Sequence, residues 1–127
     1  MSALVLDAGA FVAVDRGDRA MVARLRMAQQ AALELRSTGV VITQVWRDSA
    51  GRQANLARLL KSVDIHAVDE RLGKEAGLLL GRAATNDAVD ASVVAVSATG
   101  DRILTGNPGD IRPLVAVSGR SILVVAC

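Results

Sequence analysis

Four aspartates carry the chemistry this sequence can offer. Asp7 ends the apolar run Ala3-Leu-Val-Leu6, and Asp87 and Asp90 lie three apart at the start of a helical segment. Asp110 follows another short apolar run, just after Thr105-Gly-Asn107. Residues three apart on a helix share a face, so Asp87 and Asp90 point the same way. Gathered carboxylates repel, and one of them takes up a proton unless a cation resolves the conflict. Mg²⁺ or Mn²⁺ suits such a site, because hard cations take oxygen ligands and accept a few carboxylates together with waters and phosphate oxygens. The chemistry that follows is attack of metal-activated water on a phosphodiester, the cation lowering the pKa of the water and screening the phosphate. His66 and Cys127, the single His and the single Cys, are far apart in sequence, which gives a soft-ligand metal little support.

Each acid also has a structural reading. Asp7 could cap a helix beginning near Ala10, Asp87 the helix after it, and Asp110 a helix from Ile111. Asp90 has less choice. It sits one turn inside a helix among Ala88, Val89, Ala91, Val93 and Val94, where a carboxylate is costly without a partner.

The elements that must position these acids alternate in type. Short apolar strands are predicted at Ala3–Leu6, Val40–Thr43, Val63–Val68, Arg102–Thr105 and Ile122–Ala126. From Asp18 a helix with Met21, Leu25, Ala28, Ala32 and Leu35 on one stripe is expected to run until Ser37-Thr-Gly39. Further helices are expected from Gln44 to Ser49, along Arg52–Lys61 with Leu56, Leu59 and Leu60 on one side, and from an Asp69 cap with Leu72, Ala76, Leu79 and Ala83 inward. Asn86 or Asp87 caps a buried helix over Ala88–Ala98, and Gly109–Val117 forms a last short one. Strands alternating with helices imply parallel pairing through right-handed crossovers. The expected fold is a three-layer α/β/α domain with a mostly parallel central sheet, one domain over 1–127. Ligands in such folds sit beyond the carboxyl ends of the strands, where strand order reverses, and that is where all four acids fall.

Composition sets the outer limits. The 127 residues are 51% hydrophobic, 22% charged and 2% aromatic, with 11 Gly and 2 Pro, which excludes a disordered or collagen-like chain. No apolar run approaches the ~18 residues of a membrane helix, and the apolar opening lacks the basic start of a signal peptide, so a soluble, cytoplasmic protein is expected. One cysteine excludes a disulfide framework. Of the fifteen cations, thirteen are Arg, whose planar fork matches phosphate, although Arg-rich codon usage produces the same bias. Phe11 and Trp46, the only aromatics, give no base-stacking platform, and Trp46 reads as packing. Gly73, Gly77 and Gly81 recur every four residues and are expected to admit close packing, within the domain or across a subunit interface.

The segments Leu4-Val-Leu-Asp-Ala-Gly9, Asp87-Ala-Val-Asp-Ala-Ser92 and Gly100-Asp-Arg-Ile-Leu-Thr-Gly-Asn-Pro-Gly-Asp110 together resemble a PIN domain, and within that family the VapC-like toxins of bacterial toxin–antitoxin pairs. The motifs occur in the family's order and span nearly the whole chain. The resemblance implies a metal-dependent endoribonuclease acting on structured RNA, with Asp7, Asp90 and Asp110 as Mg²⁺ or Mn²⁺ ligands and Asp87 as an accessory acid. It assigns to Thr105 the hydroxyl that steadies the acids, with a plain turn hydroxyl as the alternative, and to Asn107 a part in positioning water. It further implies a cognate antitoxin protein and a homodimer. The family's Glu after the second strand is replaced by Gln44, an amide that brings no charge, and Asp48 one helical turn on is either its substitute or an ordinary exposed acid. Arg47, Arg52 and Arg112 are candidate RNA contacts, with solvated surface charge as the alternative. A catalytically weakened module that binds RNA or protein remains the rival reading. A phosphoacceptor receiver lacks its acidic pair at the first strand and its late Lys, and a haloacid-dehalogenase-like phosphatase lacks the second acid of Asp-x-Asp.

Overall fold

The computed structural model describes residues 2–127, the Ser49 side chain excepted. Five strands form one sheet: β1 (Ala3–Leu6), β2 (Glu34–Thr38), β3 (Asp64–His66), β4 (Arg102–Thr105) and β5 (Leu123–Ala126). Their spatial order is β3-β2-β1-β4-β5, and every pairing is parallel. Seven helices connect them: α1 (Ala8–Asp15), α2 (Arg19–Gln30), α3 (Gly39–Val45), α4 (Ala54–Leu60), α5 (Glu70–Ala83), α6 (Ala88–Ala95) and α7 (Pro108–Ser118). Helices α5, α6 and α7 pack on one another, α1 packs against α2 and α4, and α3 touches both α1 and α6. This is the three-layer arrangement expected from the sequence.

Burial explains the composition of the strands. All four residues of β1 are buried, as a central parallel strand covered on both faces requires. Phe11, Leu6, Leu35, Leu56, Ile103, Leu104, Ile111 and Leu114 are the largest fully buried side chains. In α6 the six residues from Asp90 to Ala95 are all buried, so the helix is apolar nearly all round rather than striped. It is also pinned at each end. The Asp87 side chain accepts a hydrogen bond from the Asp90 backbone N–H at 3.0 Å, and Arg120 Nη1 donates to the carbonyls of Val94, Ala95 and Ser97 at 2.9–3.0 Å.

Chain order determines where a site can form. The chain steps from β1 out to β2 and β3, then returns to β4 on the other side of β1. The crevice beyond the carboxyl ends of β1 and β4 is therefore the switch point at which open α/β sheets take ligands.

Several predicted boundaries move. Leu35, placed on the α2 stripe, is a buried residue of β2, because the helix stops at Gln30 and Ala32 turns the chain with φ 63°. Val40–Thr43, predicted as a strand, lies inside α3, whose start is capped by Thr38 Oγ1 accepting from the Val41 N–H. The helix expected over Gln44–Ser49 is the end of α3, which finishes at Val45. The helix expected to Ala98 ends at Ala95. A Cβ added at Gly73, Gly77 or Gly81 meets nothing within 4 Å, so the glycine stripe of α5 does not serve close packing within the domain. Trp46 packs partly buried against the core, as expected, and among the described residues no helix is long and apolar enough to cross a membrane.

Two buried polar residues organise the loops. Asp101 is 4% exposed and accepts from the Ala3 and Ala98 backbone N–H groups, both at 2.8 Å, and from Arg36 Nη1 at 3.3 Å. Gln53 accepts from the backbone N–H groups of Arg47 and Asp48 and donates to the Val45 carbonyl and to Asp15, satisfying its amide in full.

Candidate active site

Asp7 leaves β1 and caps α1. Its Oδ1 accepts from the Ala8 N–H at 2.8 Å and its Oδ2 from the Thr105 hydroxyl at 2.8 Å. Thr105 ends β4, is fully buried, and accepts in turn from the Asn107 N–H at 3.0 Å. That backbone donor leaves the hydroxyl proton directed at Asp7, so the relay Asn107–Thr105–Asp7 fixes one carboxylate at the switch point. Asp7 itself is only 4% exposed.

Asp90 is 8% exposed. Burial pushes its carboxyl up to about 7, and the charges of Asp87, Asp7 and Asp110 add to the shift. The four acids therefore belong to one electrostatic cluster, although they come from three separate parts of the chain. Asp87 is exposed and caps α6. Asp110 is exposed in the first turn of α7, where a carboxylate favours the helix dipole, but it is not the cap, since Asn107 holds that position without a side-chain bond. The capping reading holds for Asp7 and Asp87 and fails for Asp110. Among the described residues, no three His, Cys, Asp or Glu side chains stand close enough together to share one ion.

The remaining candidates are more scattered. Gln44 is exposed near the end of α3, and Asp48 is exposed with a left-handed backbone, φ 43°. Among the described residues, neither bonds to the four acids, and Asp48 does not act on Asp90. Arg47, Arg52 and Arg112 are exposed; Arg47 Nη1 donates to the Thr43 and Trp46 carbonyls. His66 pairs with Asp64 at 2.8 Å in β3, away from the cluster and in keeping with a structural role.

Sequence reading missed two neighbours of the site. The Cys127 N–H donates to the Thr105 carbonyl at 3.0 Å, and its Sγ stands 3.0 Å from where a Gly9 Cβ would lie. The backbone of Gly106 is 3.2 Å from the same point, so Gly9 is where α1 and the loop after β4 approach. Arg24 reaches the Ala126 carbonyl beside Cys127. Parallel pairing of β5 with β4, Thr105 opposite Ala126, brings them there, and only knowledge of that register would have placed them.

No protein-family model matches the sequence, and no curated protein matches it. Among solved structures, the fold is similar to that of VapBC2 from Rickettsia felis bound to a DNA fragment from their promoter. The TM-score is 0.71 at 11% identity, covering 98% of each chain. At that identity the likeness speaks for the fold, and it extends over the whole α/β/α unit.

Proposed function

We propose that this chain is a metal-dependent endoribonuclease and the toxin of a toxin–antitoxin pair, acting in the cytoplasm on structured RNA. The observation that carries the reading is Asp90, a carboxyl buried at the switch point and pressed by three other carboxylates. Groups shifted this strongly by burial and by neighbouring charges are characteristic of functional sites. The donors Asp7, Asp90 and Asp110, with Asp87 beside them, are all oxygen, the chemistry Mg²⁺ or Mn²⁺ takes. They would have to draw closer to share the ion, since no three of the described acids stand near enough as they are. When bound, the cation would supply an activated water and charge screening at the scissile phosphate.

The chain's own residues have distinct tasks in this reading. Thr105 holds the orientation of Asp7, Asn107 holds the Thr105 hydroxyl through its backbone, and Asp90 gives up its proton when positive charge enters the cluster. Arg52 and Arg112 are exposed to meet the polyanion, and Arg47 would do so with the donors that its bonds to the Thr43 and Trp46 carbonyls leave over. The likeness to a VapBC2 assembly supports an antitoxin as protein partner, and a homodimer remains part of the proposal.

The rival is a catalytically weakened module that binds RNA or protein. It is favoured by Gln44, a neutral amide where the resembled family carries Glu, and by the separation of the acids as they stand. One experiment decides between them. The purified chain is incubated with structured RNA and Mn²⁺ beside an Asp7→Asn control, and RNA ends are mapped. Metal-dependent cleavage that disappears in the control is expected; RNA binding without cleavage by the unaltered chain would leave the rival standing.

A further inference from the structure

Arg24 is an exposed cation of α2 that touches the site's rim without a carboxylate to neutralise it. Its Nη1 and Nη2 lie 3.4 and 3.5 Å from the Ala126 carbonyl at the end of β5, and among the described residues it forms no ion pair. These are long contacts to a neutral acceptor, so most of its five donors are free. The rim is continuous from there to the acids. Ala126 pairs with Thr105, Cys127 bonds to the Thr105 carbonyl, and Thr105 holds Asp7. The Cys127 thiol, raised first by burial, is pulled down by Arg24 and pushed up by Asp7. Beside Arg24 opens a groove of about 270 Å³ walled by Leu4, Met27, Leu104 and Val125, with Arg102 also on its lining.

We propose that Arg24 grips a backbone phosphate of the RNA strand next to the scissile one, so that the substrate crosses the carboxyl ends of β4 and β5 toward α2. This rests on the nuclease reading above. A guanidinium fork binds phosphate through two parallel hydrogen bonds, and a cation set just outside an acidic pocket offsets the repulsion that pocket exerts on a polyanion. A contact of this kind positions the strand and carries no sequence preference.

The test uses fluorescence anisotropy of a labelled RNA stem-loop with single-stranded flanks, in Mg²⁺, on the cleavage-inert Asp7→Asn chain. Adding Arg24→Gln is expected to weaken binding roughly three- to tenfold and to reduce the slope of log K against log salt by about 0.7 to 0.9. Arg24→Lys is expected to keep most of the slope. Arg71→Gln, an exposed cation of α5 paired with Glu75, is expected to change nothing. In the cleaving chain Arg24→Gln should raise KM and leave kcat in place. RNA binding with an unchanged slope would overturn the role of Arg24 alone. Failure of the unaltered chain, in Mg²⁺ or Mn²⁺, either to bind or to cleave RNA would overturn this role and the nuclease reading together.

Discussion

Replacing Asp90 by Asn removes a charge that the fold makes expensive. A carboxyl ordinarily near 3.8 stands at about 7 in the folded chain. Between about pH 4 and 7 the folded protein thus holds a proton that the unfolded chain has lost. Stability must then fall as pH rises through that window and level off above it. At about 1.4 kcal/mol per pH unit, the loss from this group reaches at most about 4 kcal/mol, and solvent screening at the mouth of the cluster takes its share. Asp90→Asn is nearly isosteric and neutral, so it is expected to be more stable than the parent by up to about 4 kcal/mol at about pH 8 and equal to it below about pH 4. Urea denaturation in EDTA across that range reads the difference. Added Mg²⁺ should stabilise the parent at pH 8 and leave the variant unchanged, while RNA cleavage is lost. Parallel stability–pH curves for the two chains, or a less stable Asn variant at pH 8, would refute the account of Asp90.

Thr105→Val deletes the hydroxyl that holds Asp7 and is expected to cost about 1 to 3 kcal/mol and to weaken Mn²⁺ binding in calorimetry; unaltered affinity would mean that Asp7 needs no such support. Asp101→Asn leaves Arg36 without its buried anion and is expected to destabilise by about 3 kcal/mol in denaturant titration, with no effect on metal binding. Gly77→Ala, in open space on α5, should stabilise by about 0.5 to 1 kcal/mol in the same titration; a loss of stability or of self-association would reveal a close approach at that face. Gln44→Glu restores a charge near the end of α3 and is expected to tighten Mg²⁺ or Mn²⁺ binding in a titration, whereas unchanged affinity would place Gln44 outside the ligand set.

What the sequence disclosed and what it concealed follow from the range of the forces involved. Ala3–Leu6 and Arg102–Thr105 were legible because central parallel strands are continuous apolar runs with polar ends. The start of α5 was legible because Asp69 caps it locally, accepting from the Leu72 N–H at 2.9 Å. The β2–α3 boundary was not. Val40-Val-Ile-Thr43 is β-branched and favours strand in isolation, but Glu34–Thr38 takes the place beside β1. The segment after it turns into a helix that reaches the core through Val41, so tertiary pairing overrode propensity. The site divides in the same way. The aspartates could be read because each follows a strand or begins a helix, while Cys127 and Arg24 enter only through the pairing of β5. The outward-facing glycines of α5 show the limit of spacing arguments, since periodicity says that residues share a face and not what that face meets.

Asp87 at one end of α6 and Arg120 at the other resist fraying of the segment that carries Asp90, and so keep its carboxyl from swinging into water. Tension among the acids has only two ways out, through a proton or through a cation. A helix held so firmly acts as a fixed anvil for the cluster, and if a cation binds there, the response to acidity and the response to metal would be one and the same.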